Sequence, residues 1–590
     1  MDGKSSYWQT RATRRNLLRA GAITSAGLTV VGLIGCSSGG DKVIQQNRGF
    51  YEPKDTSSSA RRGGIYQSFA PRDVTDFNPA TTVQGAGLGG PERAAYSTLI
   101  REKEAPGGTK IGVVEGDLAE SYELSDGGLR LTMKLRPNAK WDPRTPTSGR
   151  AVIADDVVYS WEKYAKVSPY AEVLANATSP TSAGIISAQK VDERTVVFKM
   201  AFPWAPLLPG LAKGPYVIVP VESEDKFDPR RDIRGSAEWM LADYQPSSNL
   251  KWRRNPNYYN QELPYLDGYD QPILTEYAAQ LSQFTAKNIW DFQPSSEDVL
   301  VTARNNSALL MYEGDPDISP QEIFFNNQPG SRFLDIRVRR AVSMAIDRDL
   351  YAETIKNLSK FAAAGFPRTV FLDNYLFGGM PELWIDPRGK EMGDGAQYFQ
   401  YNPTEAKKLL NAAGYSEGFD MRIRWDGQVH VLEKEASIVA EMLSAVGMRG
   451  KLEQANYASA YLPKIIPSHG NFDGDIAFRS ATVGFEASSG LQRALHSKGS
   501  TTGSSFDDDG QRKIDGLIEG ALKELDHQKY VQRIHELQKE LGLYQGAVVF
   551  TSQCPSISLA WPWVMNLQVF KGSLTGTGLR HVWIDESRRS

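Results

Sequence analysis

The chain predicts an α/β molecule of two lobes connected by two chain crossings, and three observations carry that prediction. Stretches with two-residue alternation are interspersed with stretches of helical period, which indicates layered packing of strands and helices and not a bundle or a sandwich. The 590 residues are 41% hydrophobic and 23% charged, enough for several folding units at about 100–200 residues each, every one with a core. The final stretch, from Gly546 onward, reads as strands but is too short to fold alone. It must return to an earlier unit, so the chain passes between units twice, the arrangement of a hinge.

The elements follow in order. Residues 1–35 read as a signal peptide: Arg14 and Arg15 precede Leu17 and Leu18, and an uncharged stretch of 16 residues runs from Ala20 to Gly35. A membrane-spanning helix needs about 20 apolar residues, so this segment is expected to be removed. The arginine pair resembles a twin-arginine export signal, and it also fits the basic leader of the general secretion route. Leu33-Ile34-Gly35-Cys36 resembles a bacterial lipobox, in which the cysteine is lipidated; otherwise Cys36 is a small residue at an ordinary cleavage site. Residues 36–62 are polar and are expected to form a flexible lipid-anchored linker, on the order of 28 Å root-mean-square if free.

In the body, Gly63–Phe69 alternates after a glycine turn, and Leu129–Leu135 and Thr195–Met200 also read as strands. Ala154–Lys166 predicts an amphipathic helix opened by Asp155 and Asp156. Arg337–Ile355 predicts a second, capped by Asp335, and Thr404–Ala413 a third, ended by Gly414. Lys513–Leu541 is helical with a break near His527; Ala547–Thr551 and Val582-Trp583 are strands of the return. The expected division is residues 63–322 for lobe I, 323–545 for lobe II and 546–590 for the return to lobe I.

Five motifs then fall into register: Asp117–Glu123 with Leu135–Trp141; Ala154–Ser160; Arg254–Tyr259 with Leu263–Asp267; Asp335–Ala341 with Ala345–Arg348; and Ala406–Tyr415. Together they resemble the family 5 extracellular solute-binding proteins, the oligopeptide, dipeptide and nickel receptors of bacterial ABC importers. The resemblance runs from about Gly63 to the end. It implies a two-lobed periplasmic-binding-protein fold of the large class, with an extra subdomain in the discontinuous lobe I. It also implies a monomer that holds a peptide or other small solute between its lobes and delivers it to a membrane permease. Such a protein is exported, tethered to the cell envelope and not an enzyme.

Ligand-contacting positions are implied by the same resemblance: Phe69, Asp73 and Phe77 after the first strand, Asn326 at the first crossing, and Trp561 near the return. Core packing is the alternative for the aromatics, a turn or cap for Asp73 and Asn326. Peptide-binding members carry an aromatic and then an aspartate for the peptide ammonium after the strand that corresponds to Phe472–Phe478. This sequence has Arg479 to Glu486 there, with Thr482 or Val483 at the acidic position and Phe485 beside Glu486. A buried ammonium without a carboxylate is costly, so a free peptide is not held by that contact unless Glu486 supplies it. Arg479 points to an acidic or sugar-like solute.

Other chemistry is weakly supported. A net charge of −3, from 67 basic and 70 acidic residues, is no footprint of nucleic-acid binding. Two cysteines, Cys36 and Cys554, build no disulfide scaffold. Gly85–Gly90 spells G-x-G-x-x-G with no clear strand before it. Asp507–Gly510 resembles part of a calcium loop, but Ser505 and Gly516 occupy positions that need acids, so a helix N-terminus is expected. The six histidines lack metal-site spacing; no metal and no cofactor are expected. Asp155-Asp156 reads as a helix start, and Arg337, Arg339, Asp347 and Arg348 either as a solvated or paired helix face or as an anion site. The competing functions are a surface-anchored hydrolase acting on glycans through a carboxylate pair, and a signalling or chaperone lipoprotein without an importer.

Overall fold

The structure is a computed structural model that describes residues 49–589 apart from 75, 82–90, 108–112, 214–215, 317–319, 379, 381, 427–429, 481–485 and 571–577. Arg14, Arg15, Cys36 and the 85–90 glycine run lie outside the described residues. No described helix is long and apolar enough to cross a membrane.

Two separate cores define two lobes. The first joins Tyr66 through Met311 to Phe361 and to Ile557 through Ile584; the second runs from Ile323 to Phe550. In lobe I, Ile65–Gln67 lies parallel to Gly268–Pro272, and Asn249–Arg254 and Trp239–Gln245 complete a four-stranded sheet. A second sheet is antiparallel: Ala119–Ser125, Arg130–Leu135, Thr195–Met200 and Ile185–Lys190 in spatial order. Helix Ala154–Val167 packs on it through Val157, Trp161 and Tyr164, residues spaced by three or four. Its start is built by Asp156, which accepts from the Ile153 amide (3.0 Å) and pairs with Arg150 (2.7 Å). The Asp155-Asp156 pair therefore opens a helix.

The return strand Pro555–Ala560 lies between Asp291–Phe292 and Leu310–Pro316 in a three-stranded sheet of lobe I. Buried Arg580, farther along the return, pairs with Glu104 and Glu238 of the N-terminal part. Lobe II is built on five strands, in the order Met448–Ala455, Phe419–Asp426, Ile476–Ser480, Gln321–Phe325, Ala547–Val549.

Three expectations are corrected. The linker was expected to run free to residue 62, but it is docked from its first described residues. The Tyr51 amide bonds the Met311 carbonyl (2.7 Å), Thr56 bonds Asn566, and the Trp583 indole donates to Thr56 (2.9 Å). The helix expected over Arg337–Ile355 is two helices, Ile336–Ala345 and Arg348–Lys356. The Asp347 carboxylate accepts from the amides of Asp349 and Leu350, and this local cap outcompetes continuation of the first helix. The return to lobe I, expected from Gly546, begins later: Ala547–Val549 still pairs with Gln321–Phe325 in the lobe II sheet and Phe550 packs in the lobe II core, so lobe I is rejoined at Pro555–Ala560. Lys513–Leu541 breaks near His527 as expected, into Asp509–Leu522, capped by Asp508, and His527–Tyr544, capped by Asp526.

Candidate functional site

The lobes are joined by two crossings that run side by side. Outbound, Leu310–Pro316 leaves lobe I and Gln321–Phe325 enters lobe II; inbound, Ala547–Val549 leads through Ser552–Gln553 to Pro555–Ala560. The two are antiparallel in both lobes, with Glu313 opposite Ile557 and Ile323 opposite Val548. Between these ladders one hydroxyl ties them: Thr551 Oγ1 accepts from the Gln321 amide (2.9 Å) and donates to Asp373 Oδ2 (2.7 Å). Asp373 is fully buried. Burial pushes its carboxyl up to about 8, although Thr551, the Gly378 amide and Gln553 pull the other way.

Arginines hold the inbound crossing to lobe II. Arg339 donates to the carbonyls of Phe333, Tyr544 and Gln545, and Arg340 to that of Leu543. Those of Leu543, Tyr544 and Gln545 lie at the end of helix His527–Tyr544, where backbone acceptors lack intrahelical partners and the dipole favours cations. Arg348 donates to Val549 (2.7 and 3.1 Å) and Ser343 (3.0 Å). Arg339 and Arg348 are both fully buried; their cations are spent on backbone rather than on an anion, and Arg337 pairs with its own cap Asp335 (2.6 Å).

Strand direction shows which edge of lobe II faces lobe I. Phe419–Asp426, Met448–Ala455 and Ile476–Ser480 are mutually parallel, and Gln321–Phe325 runs against them. Their carboxyl ends therefore share the edge at which both crossings depart, beside Gln321 and Val549. In open α/β sheets the carboxyl ends of strands are where ligands bind. The expected positions Thr482, Val483 and Phe485 continue from this edge but lie outside the described residues.

Other expected contacts are placed elsewhere or already engaged. Asn326 is not at the crossing: it follows the opposite end of Gln321–Phe325, about 16 Å away along the strand. There its amide ties the carbonyls of Phe472 (2.8 Å) and Gly474 (3.0 Å). Trp561 lies beyond the end of Pro555–Ala560 remote from lobe II, buried and stacked on Trp563 at 5.2 Å. Phe77 is core, edge-on to Tyr244. Asp73 locks a turn by accepting from Tyr244 Oη (2.8 Å) and the Ser247 amide (2.7 Å). Burial would raise that carboxyl, but these bonds outweigh it and hold it below its ordinary range.

Arg479 is buried and spent within lobe II, on Glu322 directly opposite and on the carbonyls of Ala494 and Thr501. Glu486 caps helix Ala487–Leu495, accepting from the amides of Ser488 and Ser489, the Ser488 hydroxyl and Tyr530; burial raises its carboxyl. Phe69 stays half-buried against Phe292. Sequence reasoning did not find the Thr551–Asp373 tie. For the arginine clamp there was a signal: cations at 339, 340 and 348 interleaved with the apolar stripe of their helices.

Beyond the crossings, a second set of elements bridges the lobes. The Ala205 amide of lobe I bonds the Leu522 carbonyl of lobe II (2.8 Å), Glu172 pairs with Arg493 (3.1 Å), and the Lys523 ammonium stands 5.9 Å over the Phe202 ring.

Comparison with known proteins agrees with this architecture. The family description "Bacterial extracellular solute-binding proteins, family 5 Middle" matches residues 113–501. The chain is 24% identical over 512 residues to the dipeptide-binding protein of Escherichia coli (strain K12), covering 82% of this chain and 86% of that one. NikA from Brucella suis in complex with Fe(III)-EDTA superposes with a TM-score of 0.71 at 17% identity, over 88% of this chain and all of that one. DppA from Helicobacter pylori in complex with the peptide STSA gives 0.68 at 18% identity, over 89% of this chain and 99% of that one.

Proposed function

Because the chain belongs to the family 5 bacterial extracellular solute-binding proteins, we propose that it captures a small solute, a peptide or another small molecule, in the cleft between its lobes and delivers it to the permease of an ABC importer. The paired crossings carry this reading: they leave lobe II at the edge where its parallel strands present their carboxyl ends. A solute seated there touches both lobes, and its binding shifts an open–closed equilibrium. Export is through the Arg14-Arg15 signal, and the lipid anchor is Cys36. Phe50 already packs on Phe366, so fourteen peptide steps from Cys36 hold the body within about 50 Å of its anchor.

Solute contacts come from Phe69 and from Thr482, Val483 and Phe485. With Glu486 committed to its helix cap and Asp73 to its turn, neither supplies the carboxylate that a peptide ammonium needs; this supports a solute recognised through other groups. Native mass spectrometry of the exported protein tests the reading. One small molecule retained by the folded chain, and unchanged in mass after prolonged incubation, is the expected result. Conversion of that molecule, or no bound species after capture from rich medium, overturns it.

A further inference from the structure

We propose that Glu172 and Arg493, together with the Ala205–Leu522 backbone bond, form a closure latch whose strength sets how long the cleft stays shut; this rests on the capture reading above.

The latch is made by elements other than the crossings. Glu172 sits in the short turn Ala171–Val173 of lobe I, and Arg493 on helix Ala487–Leu495 of lobe II, their side chains 24% and 26% exposed. A pair this shielded is stronger than a surface ion pair, yet water reaches it, so breaking it leaves no charge stranded in the core. On the helix packed against that of Arg493, Leu522 is the last residue of Asp509–Leu522, and its carbonyl has no partner further along that helix. The Ala205 amide of the opposite lobe supplies one. Lobe I thereby completes the hydrogen bonding of a lobe II helix only while the lobes are together.

Arg493 also has a built connection to the cleft. Its helix begins at Glu486, where the chain arrives from residues 481–485 and from strand Ile476–Ser480, whose end faces lobe I. The far end of the helix is tied to the same strand, because Arg479 donates to the Ala494 carbonyl (3.1 Å). The end of strand Ile476–Ser480, the helix and the latch are thereby built together through Arg479. A solute that displaces this strand end shifts the helix, and Arg493 with it, relative to Glu172.

Hydrogen–deuterium exchange of the full chain tests this, because the Ala205 amide reports lobe separation and needs no identified solute. Arg493→Gln and Glu172→Gln are each expected to speed Ala205 exchange about three- to tenfold, while the lobe I core amide of Val196 stays unchanged. The double variant Glu172→Arg with Arg493→Glu restores the slow rate, and raising salt to 1 M speeds the wild type toward the single variants. Unchanged exchange at Ala205 in both single variants overturns the latch, as does acceleration shared equally by Val196. Failure of the capture reading shows separately, as absence of a bound solute in the mass spectrum.

Discussion

The same two lobes are joined in two contrasting ways. At the inbound crossing, fully buried Arg339 and Arg348 grip backbone carbonyls, and Thr551 ties outbound strand, inbound strand and Asp373 together. At the other bridge there are one partly exposed ion pair, one backbone bond and the Lys523 ammonium over the Phe202 ring. A buried cation on a carbonyl cannot let go without leaving charge and acceptor unsatisfied. A partly exposed ion pair separates at a cost of about 1 kcal/mol. The contrast teaches where motion would cost least: in the closure proposed above, the lobes pivot on the crossings and part at the weak bridge.

This difference can be broken from the strong side first. Arg348→Met strips donors from Val549 and Ser343 in the core and is expected to cost about 3 kcal/mol or more of unfolding free energy, read from the urea midpoint. A loss below about 1 kcal/mol would mean that the arginine is not what holds the inbound crossing.

The next effect is on pH dependence. Asp373 holds its proton to about 8 in the folded protein against 3.8 as a free side chain. Between those values the unfolded chain releases a proton that the folded chain keeps, so this group makes stability fall as pH rises through the window and level off above it. Asp373→Asn should flatten that fall and make the protein more stable at pH 8 than the wild type; a thermal midpoint unchanged at pH 8 would contradict it.

Thr551→Val severs the tie between the crossings and should cost about 1–2 kcal/mol. It should also loosen the pivot, seen as faster amide exchange at Gln321 than at Phe324. The smallest effect is at the cleft edge. Glu486→Gln weakens a helix cap and is expected to cost about 1 kcal/mol while the co-purifying solute is retained in the same amount. If instead solute binding disappears with stability intact, Glu486 belongs to the ligand site after all.

Much of the scaffold was legible locally. Thr195–Met200 begins and ends where its β-branched and aromatic run predicts, Asp335 caps its helix as its position before the apolar stripe suggests, and Gly414 ends the third helix with a left-handed φ of 91°. These features depend on a few neighbouring residues. The cleft was less legible. Asn326 and Trp561 occupy family positions near the crossings in sequence, but each lies a strand length from the interlobe edge, because a strand carries its two ends apart. Arg479 and Glu486 looked available because their partners, Glu322, Thr501, Tyr530 and the serine amides, are invisible in a one-dimensional reading.

By itself the sequence determined the two-lobed α/β organisation, the return of the last residues to the first lobe and the family, since periodicity, capping residues and ordered motifs are written within short windows. Only the tertiary structure decided which charges are spent inside the protein and which contacts bind lobe to lobe. Arg348 meets Val549 from 201 residues away, and Glu172 and Arg493 come from different lobes. A side chain's partners are set by packing across the fold, and desolvation then fixes whether its charge serves the structure or a ligand.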